Sequence, residues 1–459
     1  MEFVVSLFKL FCRIVGFFKG RKYRYPQIFE DNFTYMNLEE KIWYGYKYLV
    51  REIEVGEYGK HIEEYFAEQN LDFTDEGFME TTAVTLCAAG DLLTTGLLTP
   101  ENTKHLWGDV EAFYAEADLR FANLETPLVP GRPAGFLGNI FTTANLNNTP
   151  EMFAHIVNGG KGPNFLSTGN NHALDQGEDG LFATIDFLNS QSCGHVGTAK
   201  SAQERDDFPL VEINGVKIAM LAYTYAVNGK EPPAEKSFLV NYIRLNREGT
   251  DLSMVHEHVR LARERGADIV VASLHWGMEY ESFPLQIGID MGHRIMEECG
   301  VDFILGNHAH TIQPAERYRF TDPFSGEEKE GLILYALGDL MPCLSYDMNS
   351  LLGNLAKVRI SKGKVGGREV TRITSLQMMP YFAYAQNNTG KSVEDFRLLD
   401  LVKLNREVLS GTYRYPFRKK DIKQIQRLAR LMYKVFPQLN TDAALYGGHF
   451  EKDIPAESR

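Results

Sequence analysis

Seven residues of metal-binding type recur at one kind of place in this chain: Asp91, Glu125, Asn171, His172, His275, His308 and His310 stand where short apolar runs end. Carboxylate, amide and imidazole groups together suit Mn, Fe or Zn ions. A pair of such ions polarises a substrate oxygen and acidifies the attacking water, which is the chemistry of hydrolysis. A single one of these histidines would read as a buried, hydrogen-bonded side chain. Seven such residues on five successive strand ends form a pattern, and four of the twelve histidines fall in it. His308 and His310 lie two apart, so in an extended loop both rings are expected to point the same way, into one cluster.

The runs that must position these residues read as buried strands. Residues 83–89 (AVTLCAA) precede Gly90-Asp91, and 119–124 (LRFANL) precede Glu125. Residues 165–168 lead into Gly169-Asn170-Asn171-His172, 269–274 (IVVASL) into His275, and 303–305 into Gly306-Asn307-His308. Between them, 180–190, 251–265 and 286–299 carry helical spacing. Alternating strands and helices predict an α/β core with its ligands at the carboxyl ends of the strands. Asn214-Gly215 between two apolar runs predicts a hairpin. Residues 331–337 and 355–360 add strands. Residues 23–80, rich in Tyr, Glu and Lys, read as helical, as does the chain beyond about 386. There the basic amphipathic run FRKKDIKQIQRLARLMYKVF predicts a packed helix with a solvated face. The expected organisation is an amphipathic helix over 1–22, a helical extension over 23–80, a core over 81–385 and a C-terminal helical extension over 386–459.

The order GD, NLE, GNNHALD, HWGMEY and HxH, at 90–91, 123–125, 169–175, 275–280 and 308–310, resembles the CapA-like poly-gamma-glutamate capsule biosynthesis family (PGA_cap) of the calcineurin-like metallophosphoesterase superfamily. The resemblance runs over roughly residues 81–341. It implies an α/β fold of two packed mixed β-sheets flanked by helices, with N- and C-terminal helical additions. It also implies two divalent ions (Mn, Fe or Zn), or a single one. Asp91, Glu125, Asn171, His275, His308 and His310 would be the ligands, and His172 the catalytic group that protonates a leaving group. Asn123, Asp175 and Glu279 would stand behind them, as orienting groups or as plain hydrogen-bond partners. The implied activity is metal-dependent hydrolysis of a phosphoester or an amide-linked polymer. The alternative is a non-catalytic, metal-binding component of an envelope polymer synthesis or export complex. Three positions depart from the pattern. Leu93 stands where many phosphoesterases have a histidine, Asn307 where a histidine often precedes HxH, and Gly338-Asp339 where Gly-Asn is usual. Whether Asp339 adds a ligand or caps a turn is open at this level.

The 459 residues carry a net charge of −13, which disfavours nucleic acid as a partner because phosphate backbones need a basic face. The expected partner is an anionic polymer or a phosphoester, with a membrane surface or an envelope biosynthesis complex as a further candidate. Five scattered cysteines without a CxxC pair suggest neither a disulfide framework nor a cysteine zinc site, and each reads as a small buried apolar residue. In MEFVVSLFKLFCRIVGFFKG, Lys9 and Arg13 interrupt the apolar run that a signal peptide or a membrane-spanning helix needs. The segment reads as an interfacial helix on an anionic membrane, or as a helix packed on its own protein, with a degenerate signal anchor as a third reading. The cysteine content and the missing signal point to a cytoplasmic or peripheral membrane protein. The capsule resemblance points to an anchored one outside.

Overall fold

A computed structural model describes residues 2–27, 34–74, 77–94, 96–135, 145–344 and 349–440. In chain order the strands are β1 (Phe78–Leu92), β2 (Leu119–Asn123), β3 (Phe165–Ser167), β4 (Gly194–Val196), β5 (Leu210–Ile213), β6 (Val216–Thr224), β7 (Ile269–His275), β8 (Phe303–Asn307), β9 (Ala315–Thr321), β10 (Glu328–Leu334), β11 (Asp339–Met341), β12 (Leu352–Val365), β13 (Arg368–Gln386) and β14 (Asp395–Asp400). They form two mixed sheets. One has the order β14-β13-β12-β1-β2-β3-β4, with β11 on β1, and the other β5-β6-β7-β8-β10-β9. In each, a parallel run (β1-β2-β3-β4 and β6-β7-β8-β10) is flanked by antiparallel strands. The sheets share a core in which Leu86 and Ala88 of β1, Leu221 of β6 and Leu305 of β8 are fully buried or nearly so. The α/β architecture of two mixed sheets flanked by helices is the one the sequence predicts.

β1 is longer than its apolar run and continues through Gly90-Asp91. The reason is a close backbone approach: β11 pairs in parallel with Asp339 opposite Asp91, and the Asp91 amide donates to the Gly338 carbonyl at 3.0 Å. A Cβ on Gly90 would lie 1.8 Å from that oxygen, so only glycine lets the two strands meet here. The Asn214-Gly215 turn between β5 and β6 has positive φ at both residues (52° and 76°), the hairpin geometry expected of that dipeptide. β14 extends the first sheet beyond residue 386, where the sequence reads as helical, because Leu398 and Leu399 both find buried faces. The helices Leu401–Ser410 and Lys419–Val435 follow it, and the second buries Ile425, Leu428 and Met432 in the core.

The extension over 23–80 is only partly helical, with helices Leu38–Leu49 and Ile62–Ala67 separated by irregular chain. Helix Glu2–Lys19 lies on Leu38–Leu49. Contact is close because small residues sit at the crossing: a Cβ on Gly16 would be 2.2 Å from the Tyr46 ring, and one on Gly45 2.6 Å from Phe8. The opposite side of the same helix leaves Leu7, Leu10, Phe11, Ile14, Phe17 and Phe18 exposed. Among the described residues, no helix is long and apolar enough to cross a membrane. Four of the five cysteines are buried free thiols; Cys343 is half-buried.

Candidate metal centre

The strand ends of the two sheets face one another and bring all seven sequence-selected residues to one buried locus. Asp91 ends β1, Glu125 follows β2, Asn171 and His172 follow β3, His275 ends β7, and His308 and His310 follow β8. Three groups of side chains there offer ligand atoms within 4.8 Å of one another: Glu125, His275 and His308; Glu279, His308 and His310; Asp91, His310 and Asp339. His308 and His310 therefore link two poles, and Glu279 lies between them. Asn171 joins the first pole, with its Oδ1 2.9 Å from His275 Nε2.

The two histidines converge by a different geometry from the extended loop expected. His308 and His310 have φ of 93° and 53°, left-handed values that L-residues adopt only at a cost, and their ring centroids are 5.8 Å apart. The amide of His308 donates to Asp91 Oδ2 at 2.8 Å, which fixes this turn. Tyr280, at φ 62°, is a third strained residue, and its ring stacks on His310 at 5.7 Å. Strain of this kind persists where the surroundings over-determine the backbone, and such places cluster at functional sites.

Hydrogen bonds orient the cluster from behind. Asn123 donates from Nδ2 to Asp91 Oδ1 at 2.7 Å and lies 3.2 Å from His275 Nδ1. Asn170, which sequence reasoning passed over, donates to the Leu124 carbonyl at 2.8 Å and accepts from the His172 amide at 3.1 Å. His172 is outside all three ligand groups. Its Nδ1 is 2.6 Å from Asp175 Oδ2 and its Nε2 is 4.0 Å from Glu125 Oε1, and Lys230 Nζ donates to Asp175 Oδ1 at 3.0 Å. Asp339 Oδ1 lies 2.9 Å from His310 Nδ1. Its sequence signal was a Gly-Asp pair after a strand, which reads equally as a turn. Leu93 is buried and supplies no donor, and the Asn307 amide turns to Ser273 Oγ at 3.3 Å.

The electrostatics fit a cation. Neither carboxylate oxygen of Glu125 accepts a hydrogen bond from a described residue, and the same holds for Asp339 Oδ2, while His308 Nδ1 also lacks a partner among them. Burial, reinforced by Asp91, pushes Glu125 well above the carboxylate range. Burial and the Asp339 charge raise Asp91 to about 7. Burial and neighbouring histidines hold His275 and His308 well below the usual imidazole value, so both are neutral and able to ligate. His310 is raised despite burial, because Asp339 and Glu125 hold its proton. Glu279 falls to about 2 against its burial, through the hydrogen bond from His310 and the charges beside it. Buried carboxylates with bare oxygens cost several kcal/mol each unless a counter-charge is present. A divalent ion among these oxygen and imidazole donors would supply such a counter-charge.

Residues 85–342 match the family described as Bacterial capsule synthesis protein PGA_cap. The chain is 32% identical over 177 residues to the PGA biosynthesis protein CapA of Bacillus subtilis (strain 168), covering 38% of this chain and 42% of that one. It is 27% identical over 183 residues to the capsule biosynthesis protein CapA of Bacillus anthracis, covering 38% and 39%. The chain thus spans about two fifths of the length of these curated relatives. A solved structure of a calcineurin-like phosphoesterase, YfkN of Bacillus subtilis, is 11% identical with a TM-score of 0.37, covering 77% of this chain and 99% of that one, a likeness too loose to argue from. With the profile spanning more than half of its length and every strand-end residue inside or beside that span, the chain belongs to the PGA_cap family of bacterial capsule synthesis proteins.

Proposed function

We propose that the chain is a metal-dependent hydrolase that cleaves a phosphoester or amide bond, with an anionic polymer as substrate class. The observation that carries this reading is the pair of bare, buried Glu125 oxygens, one of them 3.4 Å from His275 Nε2. Glu125, His275, His308 and Asn171 would hold one divalent ion, Asp91, His310 and Asp339 the other, with Glu279 between; Mn, Fe and Zn all suit these donors. When bound, the ions supply Lewis acidity toward a substrate oxygen and ease proton loss from the attacking water. The protein's own part is proton delivery. Asp175 fixes the tautomer and orientation of His172, which leaves Nε2 facing the cluster to protonate the leaving group. The names of the two CapA relatives tie them to PGA and capsule biosynthesis, and the polymer substrate is carried over from that association. Nucleic acid is not proposed as a partner.

The test is turnover of bis(p-nitrophenyl) phosphate and of a γ-glutamyl anilide, after chelation and again after Mn²⁺ is restored. Turnover that appears only with Mn²⁺ is expected for at least one. Mn²⁺ binding without turnover of either, or of longer anionic polymers, favours the second reading, a non-catalytic component of an envelope synthesis or export complex. The observation behind that reading is Leu93, which leaves the Asp91 pole without a histidine from its own strand.

The exposed stripe of helix Glu2–Lys19 supports a peripheral place on an anionic membrane surface. Its apolar residues recur at helical spacing, and Lys9 and Arg13 flank them in a chain of net charge −13. Replacing Phe17 and Phe18 by glutamate is expected to abolish co-flotation with phosphatidylglycerol vesicles while the protein stays folded. Unchanged flotation rejects the anchor. Truncation is the poorer test, because the other face of this helix packs on Leu38–Leu49.

A further inference from the structure

The loop that carries Glu279 and Tyr280 is held by chain from outside the family-matched span of 85–342. Lys47, on helix Leu38–Leu49, is fully buried and donates to Glu281 Oε1 at 2.7 Å and to the Glu279 carbonyl at 2.9 Å. The Tyr44 phenol, one turn earlier, hydrogen-bonds the Glu279 carboxylate. The rings of Tyr44 and Tyr48 lie 5.9 and 5.2 Å from that of Tyr280, whose other neighbour is His310. Past the helix, Ile53 adds a parallel bridge to the loop: its amide donates to the Tyr280 carbonyl at 3.2 Å, and the Ser282 amide donates to the Ile53 carbonyl at 2.9 Å. The strap is fixed from behind by the other terminal addition. Arg427 of helix Lys419–Val435 pairs with Glu52 and, at 2.8 Å, with Glu54, and the Asn349 amide donates to Glu52 Oε1 at 2.8 Å.

These contacts have one target. They converge on the residues flanking the strained φ of Tyr280, and they set where the Glu279 carboxylate and the His310 ring lie. A buried ion pair is weak evidence for stability, because desolvation offsets its attraction; its better-attested use is to select one arrangement. Here Lys47 also binds a backbone carbonyl of the loop, which a pair serving stability alone does not need. We infer that the segment 44–53 is a working part of the metal centre, with Tyr44 and Lys47 as positioning residues for Glu279 and His310. The family-matched core alone is therefore an incomplete site. The inference rests on the metal-centre reading above.

The test is Mn²⁺ titration of the full chain, read by the electron paramagnetic resonance of free Mn²⁺. The variants are Tyr44→Phe, which removes one hydroxyl, and Lys47→Met with Glu281→Leu, which replaces the pair by apolar side chains and leaves no unpaired charge. Tyr65→Phe is the comparator, since Tyr65 makes the same kind of contact with buried Glu316 away from the centre. Groups that orient metal ligands are worth about 10- to 100-fold in metal affinity. A loss of that size is expected for both strap variants, with Tyr65→Phe unchanged and all metal-stripped variants still melting cooperatively. Wild-type affinity in both strap variants overturns the inference and leaves the metal centre standing. No Mn²⁺ uptake by the wild type overturns the metal-centre reading and the strap with it.

Discussion

Substitution of His172 by glutamine is expected to lower turnover by about 10² to 10⁴, the usual contribution of a general acid, with Mn²⁺ still bound. His172 stands outside all three ligand groups, so removing its ring empties no coordination position. Its Nδ1 is committed to Asp175, itself held by Lys230, and only Nε2 remains for the reaction. The effect depends on the leaving group. A substrate releasing p-nitrophenolate needs little protonation and loses least, whereas one releasing an alkoxide or amine loses most. Steady-state rates on both kinds of substrate, with Mn²⁺ affinity measured alongside, read this out. An equal loss on all substrates together with loss of metal makes His172 a ligand and rejects the assigned role.

Glu125→Gln is expected to raise the stability of the metal-stripped protein and to reverse that order once Mn²⁺ is added. In the stripped wild type, the Glu125 carboxyl, which burial keeps from ionising, has no hydrogen-bond partner among the described residues, and relieving that cost is worth about 1–3 kcal/mol. With Mn²⁺ at a hundred times its Kd, the wild type gains about 2.7 kcal/mol that the variant largely forgoes. The pH dependence has a fixed sign. The folded pKa of Glu125 is raised above the unfolded value, so its contribution is fully present below the ordinary carboxylate range. It is lost as pH rises toward the folded pKa, because the unfolded chain ionises freely and the folded one does not. The advantage of the stripped variant therefore widens from pH 5 to pH 8, measured by urea unfolding with a chelator present. A stripped variant less stable than wild type at both pH values would mean that Glu125 is not a bare buried carboxyl.

The strand-end residues are legible in the sequence because each buried parallel strand is short, apolar and stopped by a polar residue; strand pattern and residue type coincide there. The Asn214-Gly215 hairpin and helix Gln286–Cys299 are legible for the same reason, since turn chemistry and helical period are local. β13 is not. Its 19 residues alternate irregularly between buried and half-buried, so no period of two stands out. β11 has three residues, too few for any period, and with it Asp339 is hidden. The left-handed turn through His308 and His310 depends on Asp91, 217 residues earlier, and the strap joins Lys47 to Glu281 across 234 residues. Pairings at that range leave no spacing to read.

The most direct test of the metal centre is elemental analysis of the purified chain after Mn²⁺ loading, with the wild type beside Glu125→Gln. Close to two equivalents per chain are expected in the wild type and one or fewer in the variant. A wild type that retains no metal, or a variant that retains as much as the wild type, contradicts the metal-centre reading.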